Sequence, residues 1–433
     1  MNKLRSRVKQ ISIGNHPLTV SRLIFFAACL GIVIGCLSTT YYFVLQRGLQ
    51  TIWTSLPTAL HWDPNNFGRY AWVFTTIGGL LVGLSVHYFG APSGINVAVE
   101  EIHSEGRIEY RQTPGMIMAS LLSLIFGSSA GPESPLVDIN GSIGSWLGDK
   151  LKLSLGNIRI LTFCGMSAAL GAFFGSPLGS AILALELPHR FGVQYYEALI
   201  PVIVSTVIGF AIFRTSTGHT IGGFYEFTSA PNFHPSHLIF AVLLGVIGAA
   251  AARLFIFIFH STQRLIETVP LHPILRTTLG GLGIGLIAAV FPLTLFYGEQ
   301  EIQIIIDKGA QLGWELLLLI ALGKMISVSL SLHSGFRGGF IFPLFFMGAA
   351  IGMAVNLLVP TIPPAVTMLC MMAAITVAVM KTPVSIPIIL SVISNTNLIP
   401  MITVASTVSF LLTMKISLIP TQRSRNSSPE APF

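Results

Sequence analysis

The sequence predicts an all-α integral membrane protein, a bundle in which some helices are short or broken. Three observations carry that prediction. The chain is apolar: 52% of its 433 residues are hydrophobic and 9% are charged, with a mean hydropathy of +0.75, whereas a soluble domain carries about 25% charged residues. Apolar runs recur along the whole length, several reaching the roughly 17–25 residues that cross a bilayer as a helix. Two distant stretches also repeat one pattern, with glycine and proline breaks at matching places. A soluble fold with an unusually apolar core does not need so many long runs.

Taken in order, the chain opens with Lys3, Arg5, Arg7 and Lys9, ahead of a first apolar run, Leu23–Leu45. The runs Tyr70–Tyr88, Ala198–Phe213, Leu238–Phe259, Leu279–Phe296, Leu316–Leu332 and Met401–Leu412 follow. Lys415, Arg423 and Arg425 come after the last of them. Positive flanks favour the cytoplasmic side, so both termini are expected there. The first run is long and no small-residue cleavage site follows it, which does not fit a secretory signal. The expected organisation is a cytoplasmic N-terminal segment at 1–17, a single membrane transport domain at 18–418 and a short cytoplasmic tail at 419–433. The polar stretch after Lys415, ending "TQRSRNSSPEAPF", reads as disordered. Net charge is +7, but the cations flank spans instead of forming a patch, so no nucleic acid partner is expected. Cys29, Cys36, Cys164 and Cys370 sit in apolar context without metal-ligand spacing, so no metal, cofactor or disulfide framework is expected.

The repeat is read from two segments. One is "CGMSAALGAFFGSP" at Cys164; the other is "CMMAAITVAVMKTP" at Cys370. Both fit C-x-M-x-A with a proline 13 residues after the cysteine. Upstream lie "GPESPLVDINGSIG" and "GGFIFPLFFMGAAIG", where Pro135 and Gly144 are nine residues apart, as are Pro343 and Gly352. Matching order over a long stretch points to duplication, with repeat one at about 18–213 and repeat two at about 237–418. Internal repeats with interrupted apolar segments are the sequence mark of a transporter whose site lies near the midplane.

Three Gly/Pro breaks lead into helix starts: "GAPSGINVAVEEIH", "GPESPLVDING" and "SGFRGGFIFPLFF". Irregular backbone at membrane depth is tolerated where it lines a cavity or is buried in protein. A helix start offers free N–H groups and partial positive charge, and glycine lets those groups approach an anion closely. Such ends can hold an anion weakly enough to release it. Glu133 stands at one of them. An ionisable residue inside a membrane is a functional candidate by default. Its carboxylate can itself occupy an anion position, and would leave it on protonation. The alternative is a helix cap at the aqueous surface.

These residues resemble the CLC chloride channel and transporter family, over roughly Leu18 to Leu412. "GPESPLVDINGSIG" is similar to the family's G-(K/R)-E-G-P motif and following helix, with Gly131, Glu133 and Pro135 at motif positions and Pro132 and Ser134 departing. "PSGIN" resembles G-S-G-I-P, and "GGFIFP" resembles G-x-F-x-P, with Gly339 and Pro343 in the motif. "FFGSPLGSAILALEL" and "KTPVSIPIIL" resemble the segments after each break. The resemblance implies an inverted-repeat bundle with one pore per subunit of a homodimer, in a bacterial inner membrane. It implies Glu133 as the gating glutamate, and Ser93, Gly94, Ile95, Phe340 and Ile341 as the residues around the anion.

Departures bear on mechanism. The inner proton-relay glutamate of coupled members falls at Leu187, beside Glu186, which points about 100° around the helix. The family's pore tyrosine has no counterpart in "KISLIPTQ", where Thr421 or Ser417 is the nearest hydroxyl. Arg337 stands before Gly338–Gly339 and either raises anion concentration at a pore mouth or pairs or snorkels. Asp138 reads as a structural polar group. The function expected is passage of chloride or another small monovalent anion, channel-like or weakly coupled. Proton-coupled chloride antiport is the alternative and fluoride export a weaker one, since Ser93 retains the chloride-type ligand. A zinc enzyme lacks its H-E-x-x-H motif, and "GSSAG" lacks a partner histidine, so the chain is read as not an enzyme.

Overall fold

A computed structural model describes residues 20–90, 95–190, 195–218, 224–227 and 234–422. The first half holds α1 (Val20–Gln50), α2 (Leu56–Ala59), α3 (Ala71–Phe89), α4 (Ile95–Glu105), α5 (Thr113–Ile125), α6 (Glu133–Lys150), α7 (Leu155–Phe174), α8 (Pro177–Glu186) and α9 (Leu199–Thr217). The second holds α10 (Ser236–Glu267), α11 (Pro273–Val290), α12 (Glu299–Leu312), α13 (Trp314–Ser334), α14 (Ile341–Leu358), α15 (Pro364–Met380), α16 (Ser385–Ile393) and α17 (Ile399–Thr413). Eight helical stretches among the described residues are long and apolar enough to cross a membrane.

Burial follows the sequence pattern. α1 buries Leu23, Ala27, Leu30 and Ile34 at helical spacing, and turns Phe25, Ile32, Val33 and Phe43 outward. An outward apolar face of this kind suits hydrocarbon. α14 and α15 are apolar all round and buried almost all round, which puts them at the centre of the bundle. α8 and α16, at 10 and 9 residues, are too short to cross alone.

The two halves repeat each other's packing. α3 meets α5 as α11 meets α13, α6 meets α7 as α14 meets α15, and α7 meets α9 as α15 meets α17. The halves also run in opposite senses. In the α3–α11 contact, Gly79 lies against Thr277, Gly83 against Ile274 and Gly285 against Trp72, so these equivalent helices are antiparallel. A side chain at Gly79 or Gly285 would collide with the facing backbone, which is why this crossing is built on glycine. Cys164 and Cys370 fall on the equivalent helices α7 and α15, and both are fully buried. Each of these helices ends 11 residues later in a left-handed residue, Gly175 at φ 64° and Lys381 at φ 62°. Lysine is strained there. Its Nζ is held by the carbonyls of Ala378 and Thr413 and the Thr413 hydroxyl.

One expectation is corrected, and one apolar run proves shorter as a helix than as a run. Within the apolar run Leu279–Phe296, α11 stops at Val290, because Pro292 turns its predecessor out of the helical region. The stretch after Lys415 is not disordered from its start. Leu418 and Ile419 are buried, and the Gln422 amide donates to the carbonyls of Leu187 and Met380, both at 2.8 Å. Those carbonyls sit at the ends of α8 and α15 and need donors, and the apolar residues among the polar ones anchor the segment.

Candidate anion pathway

The two breaks meet at the centre of the bundle. α5 leads through residues 126–132 into α6, and α13 leads through 335–340 into α14. Gly131 N–H donates to Gly339 O at 2.8 Å, and Gly339 N–H donates to Gly131 O at 2.6 Å. Serines support each loop in the same way. Ser129 N–H donates to Ser331 Oγ at 3.2 Å, and Arg337 N–H donates to Ser123 Oγ at 2.9 Å. Ser123 and Ser331 each donate in turn to the carbonyl four residues back, at 2.8 Å. The equivalent residues of the two loops, Gly131 and Gly339, Ser129 and Arg337, and Ser123 and Ser331, are each separated by 208 residues, the offset between Glu133 and Ile341. The site is therefore the crossing point of the repeats, with the N-termini of α6 and α14 brought together.

Glu133 lies between them. It is the first residue of α6 and 2% exposed. Its Oε1 accepts a hydrogen bond from Ile341 N–H, at the start of α14, and the N–H groups of Glu133 and Phe342 also face the carboxylate. Oε2 has no hydrogen-bond partner. The carboxylate thus caps the opposite repeat's helix, deep in the protein and away from an aqueous surface. Gly131 and Gly339 leave it room: a Cβ at either position would run into the Glu133 side chain. Pro135 and Pro343 stand at equivalent third positions of α6 and α14, in the first turn, where a missing N–H costs nothing.

A void of about 10 Å³ lies beside the carboxylate, lined by Glu133, Gly339, Phe340, Ile341, Leu187 and Met380 among others. It has room for about one water molecule. Phe340, Ile341 and Leu187 are all buried. Leu187 thus lines the same void as Glu133, but offers no proton acceptor. Glu186 is committed elsewhere. Its carboxylate accepts from Val384 N–H at 3.0 Å, Ser385 N–H at 3.0 Å and Ser385 Oγ at 2.6 Å, capping α16.

A second, wider cavity of about 400 Å³ adjoins the void and shares Ser134 and Phe340 with it. Leu418 and Pro420 form part of its wall. Ser417 does not line it, its hydroxyl being bonded to Ile419 O at 2.7 Å, and Thr421 Oγ1 is buried without a partner. Ser93 and Gly94 lie outside the described residues, and Ile95 begins α4. Sequence reasoning missed Leu418 and Gln422, whose roles depend on a chain end folding back. It also missed Lys324, whose Nζ donates to the carbonyls of Thr294, Leu295 and Phe296 from within the bundle. A lone lysine in an apolar helix was the available signal.

A sequence profile described as voltage gated chloride channel matches residues 78–414. The chloride/fluoride channel protein of Pseudomonas syringae pv. tomato is 28% identical over 319 residues, covering 69% of this chain. The match spans 66% of that relative's own length, just under two thirds. Among solved structures, a CLC-type fluoride/proton antiporter superposes with a TM-score of 0.77 at 20% identity, over 94% of this chain and 100% of that one. A slow cyanobacterial Cl⁻/H⁺ antiporter superposes with a TM-score of 0.79 at 22% identity, over 93% and 95%. Both likenesses are of fold.

Proposed function

This chain belongs to the voltage-gated chloride channel family, and on that premise we propose that it passes small monovalent anions, chloride first among them, along a route that Glu133 closes. The observation that carries this reading is the Glu133 carboxylate seated on Ile341 N–H where two helix N-termini converge. A carboxylate held by main-chain N–H groups stands where a permeant anion would stand. Anion and carboxylate then compete for one position. Protonation removes the carboxylate's attraction for helix N-termini, so the route opens as Glu133 is neutralised.

Flow is channel-like or weakly coupled to protons. Leu187 occupies the inner relay position and cannot bind a proton, while Glu186 is fixed as the cap of α16. The second reading is coupled antiport, the activity of the two structural neighbours. Fluoride is the second anion to test, because the Pseudomonas relative's name includes it. The membrane is assigned as a bacterial inner membrane, with the basic flanks Lys3, Arg5, Arg7 and Lys9 before the first apolar run, and Lys415, Arg423 and Arg425 after the last, on its cytoplasmic side by the positive-inside rule. That assignment puts the chain's two ends inside. The working assembly is a homodimer with one pore per subunit. Chloride efflux from proteoliposomes, with fluoride and potassium as comparisons, tests the reading: chloride should pass and potassium should not.

A further inference from the structure

A positive charge is built into one repeat and missing from the other. In the second repeat Lys324, on α13, is fully buried. Its Nζ donates to the carbonyls of Thr294, Leu295 and Phe296 and lies 4.9 Å from the centre of the Phe346 ring, on α14. The repeat offset of 208 residues carries Lys324 back to Met116 on α5, and Phe346 back to Asp138 on α6. Where the second repeat sets an ammonium over an aromatic ring, the first therefore sets a thioether beside a carboxylate. The fixed cation is gone, and a buried anion stands in place of the ring.

Asp138 is 4% exposed, and neither of its oxygens has a hydrogen-bond partner among the described residues. Glu101 and Arg337 are the charged groups that act on it, and neither is bonded to it. A buried carboxylate needs donors or a cation. Asp138 and Met116 line a pocket of about 10 Å³ together with Glu109, Gln112 and Thr113. It has room for about one water molecule. Its polar wall is rich in acceptors. Ser142 donates its single hydroxyl proton to Ile139 O at 2.7 Å, so at the 2.7 Å contact between Thr113 and Ser142 it is Thr113 that donates. Thr113 Oγ1 keeps only lone pairs. Glu109 and the Gln112 amide oxygen add acceptors at the exposed mouth. The loop carrying that mouth is pinned to α4 and α6. Ile108 N–H donates to Ser145 Oγ at 3.0 Å, Glu109 N–H donates to Glu101 Oε2 at 3.0 Å, and Arg107 pairs with Asp149 at 2.7 Å.

We propose that this pocket is a site for one small monovalent cation of the sodium class, held by the Asp138 carboxylate and Thr113 Oγ1, where the second repeat keeps its own ammonium. Oxygen donors of this kind suit hard cations. Calcium takes about six to eight of them, more than the pocket's side chains supply. Arg337 already offsets part of the negative charge, which favours a single positive charge over two. The bound ion ties α5 to α6, as Lys324 ties α13 to the loop ahead of α12. The site stands whichever anion the protein passes.

Binding of radiolabelled sodium to the full chain in detergent tests this, with chloride held constant and choline replacing sodium. Saturable binding of one ion per chain is expected, with a thermal unfolding midpoint that rises with sodium and not with choline, since a ligand of the folded state stabilises it. Asp138→Asn should lose both the binding and the sodium-dependent rise. Met116→Lys should lose both as well, while its midpoint in choline exceeds that of the wild type, because the new ammonium copies Lys324. A carboxylate that served packing alone would not exchange sodium for a lysine in this way. Met116→Lys also keeps the test available if Asp138→Asn fails to fold. No saturable sodium binding by the wild type, the result if Asp138 is met by water alone, overturns the site. Sodium binding that survives either substitution in folded protein overturns it too.

Discussion

Gly131 and Gly339 exchange two main-chain hydrogen bonds, at 2.8 and 2.6 Å, across the axis that relates the two repeats. This bridge fixes the two loops against each other and so fixes the helix starts that follow them. It also explains the placement of Glu133. With the loops locked and both bridge residues lacking a side chain, the carboxylate reaches across to Ile341 N–H. A carboxylate held this way needs no cationic side chain beside it.

Gly131→Ala is expected to push the Glu133 carboxylate off Ile341 N–H, because the new methyl group would occupy the space the carboxylate fills. Anion efflux should rise several-fold and lose part of its pH dependence, while the thermal midpoint falls, overpacking costing about 1–3 kcal/mol. Efflux and thermal unfolding on the same preparation check this. Unchanged efflux with lowered stability would place the glycine in packing alone.

Glu186→Ala should act on stability and leave Glu133 undisturbed. It removes the acceptor of Val384 N–H, Ser385 N–H and the Ser385 hydroxyl, and a buried donor left without its partner costs about 1–3 kcal/mol. The expected result is a lower unfolding midpoint in detergent, with the pH profile of efflux unchanged in the protein that remains folded. A shifted pH profile would give Glu186 a place on a proton route.

Much of this was legible in the sequence, for physical reasons. Apolar runs announce spans because every span must satisfy its own backbone in lipid. Glycine and proline announce the breaks because only they tolerate those backbone positions cheaply. The repeat of Cys164 and Cys370 registered correctly on α7 and α15. Glu133 stood out as a charge where charge is costly. What was not legible depended on contacts distant in sequence. That Glu133 caps α14, 208 residues away, is invisible locally. So is the return of Leu418 and Gln422 to the bundle, since a polar tail at the end of a chain looks like any other tail. The break of α11 at Pro292 was visible as a proline, but the apolar residues around it masked the stop.

Leu187 lines the void beside Glu133 and carries no titratable group. In proteoliposomes with a chloride gradient and a trapped pH indicator, the wild type is expected to show no sustained uphill proton movement and a reversal potential at the chloride equilibrium value. Moving a charge through a dry interval without a titratable partner is costly, and Leu187 supplies none. Uphill pumping at a fixed chloride-to-proton ratio would make the protein an antiporter with a relay other than this position.

Chloride efflux through Glu133→Gln, compared with wild type as pH is lowered, bears most directly on the claim that the carboxylate holds the anion's place. Wild-type efflux should increase on acidification, as protonation frees Ile341 N–H from the carboxylate. Glu133→Gln should already be fast at neutral pH, roughly tenfold or more above wild type if the seated carboxylate is favoured by about 1.4 kcal/mol, and should stay flat as pH falls. A folded Glu133→Gln protein that passes no chloride, or one whose efflux keeps the wild-type rise on acidification, would contradict it.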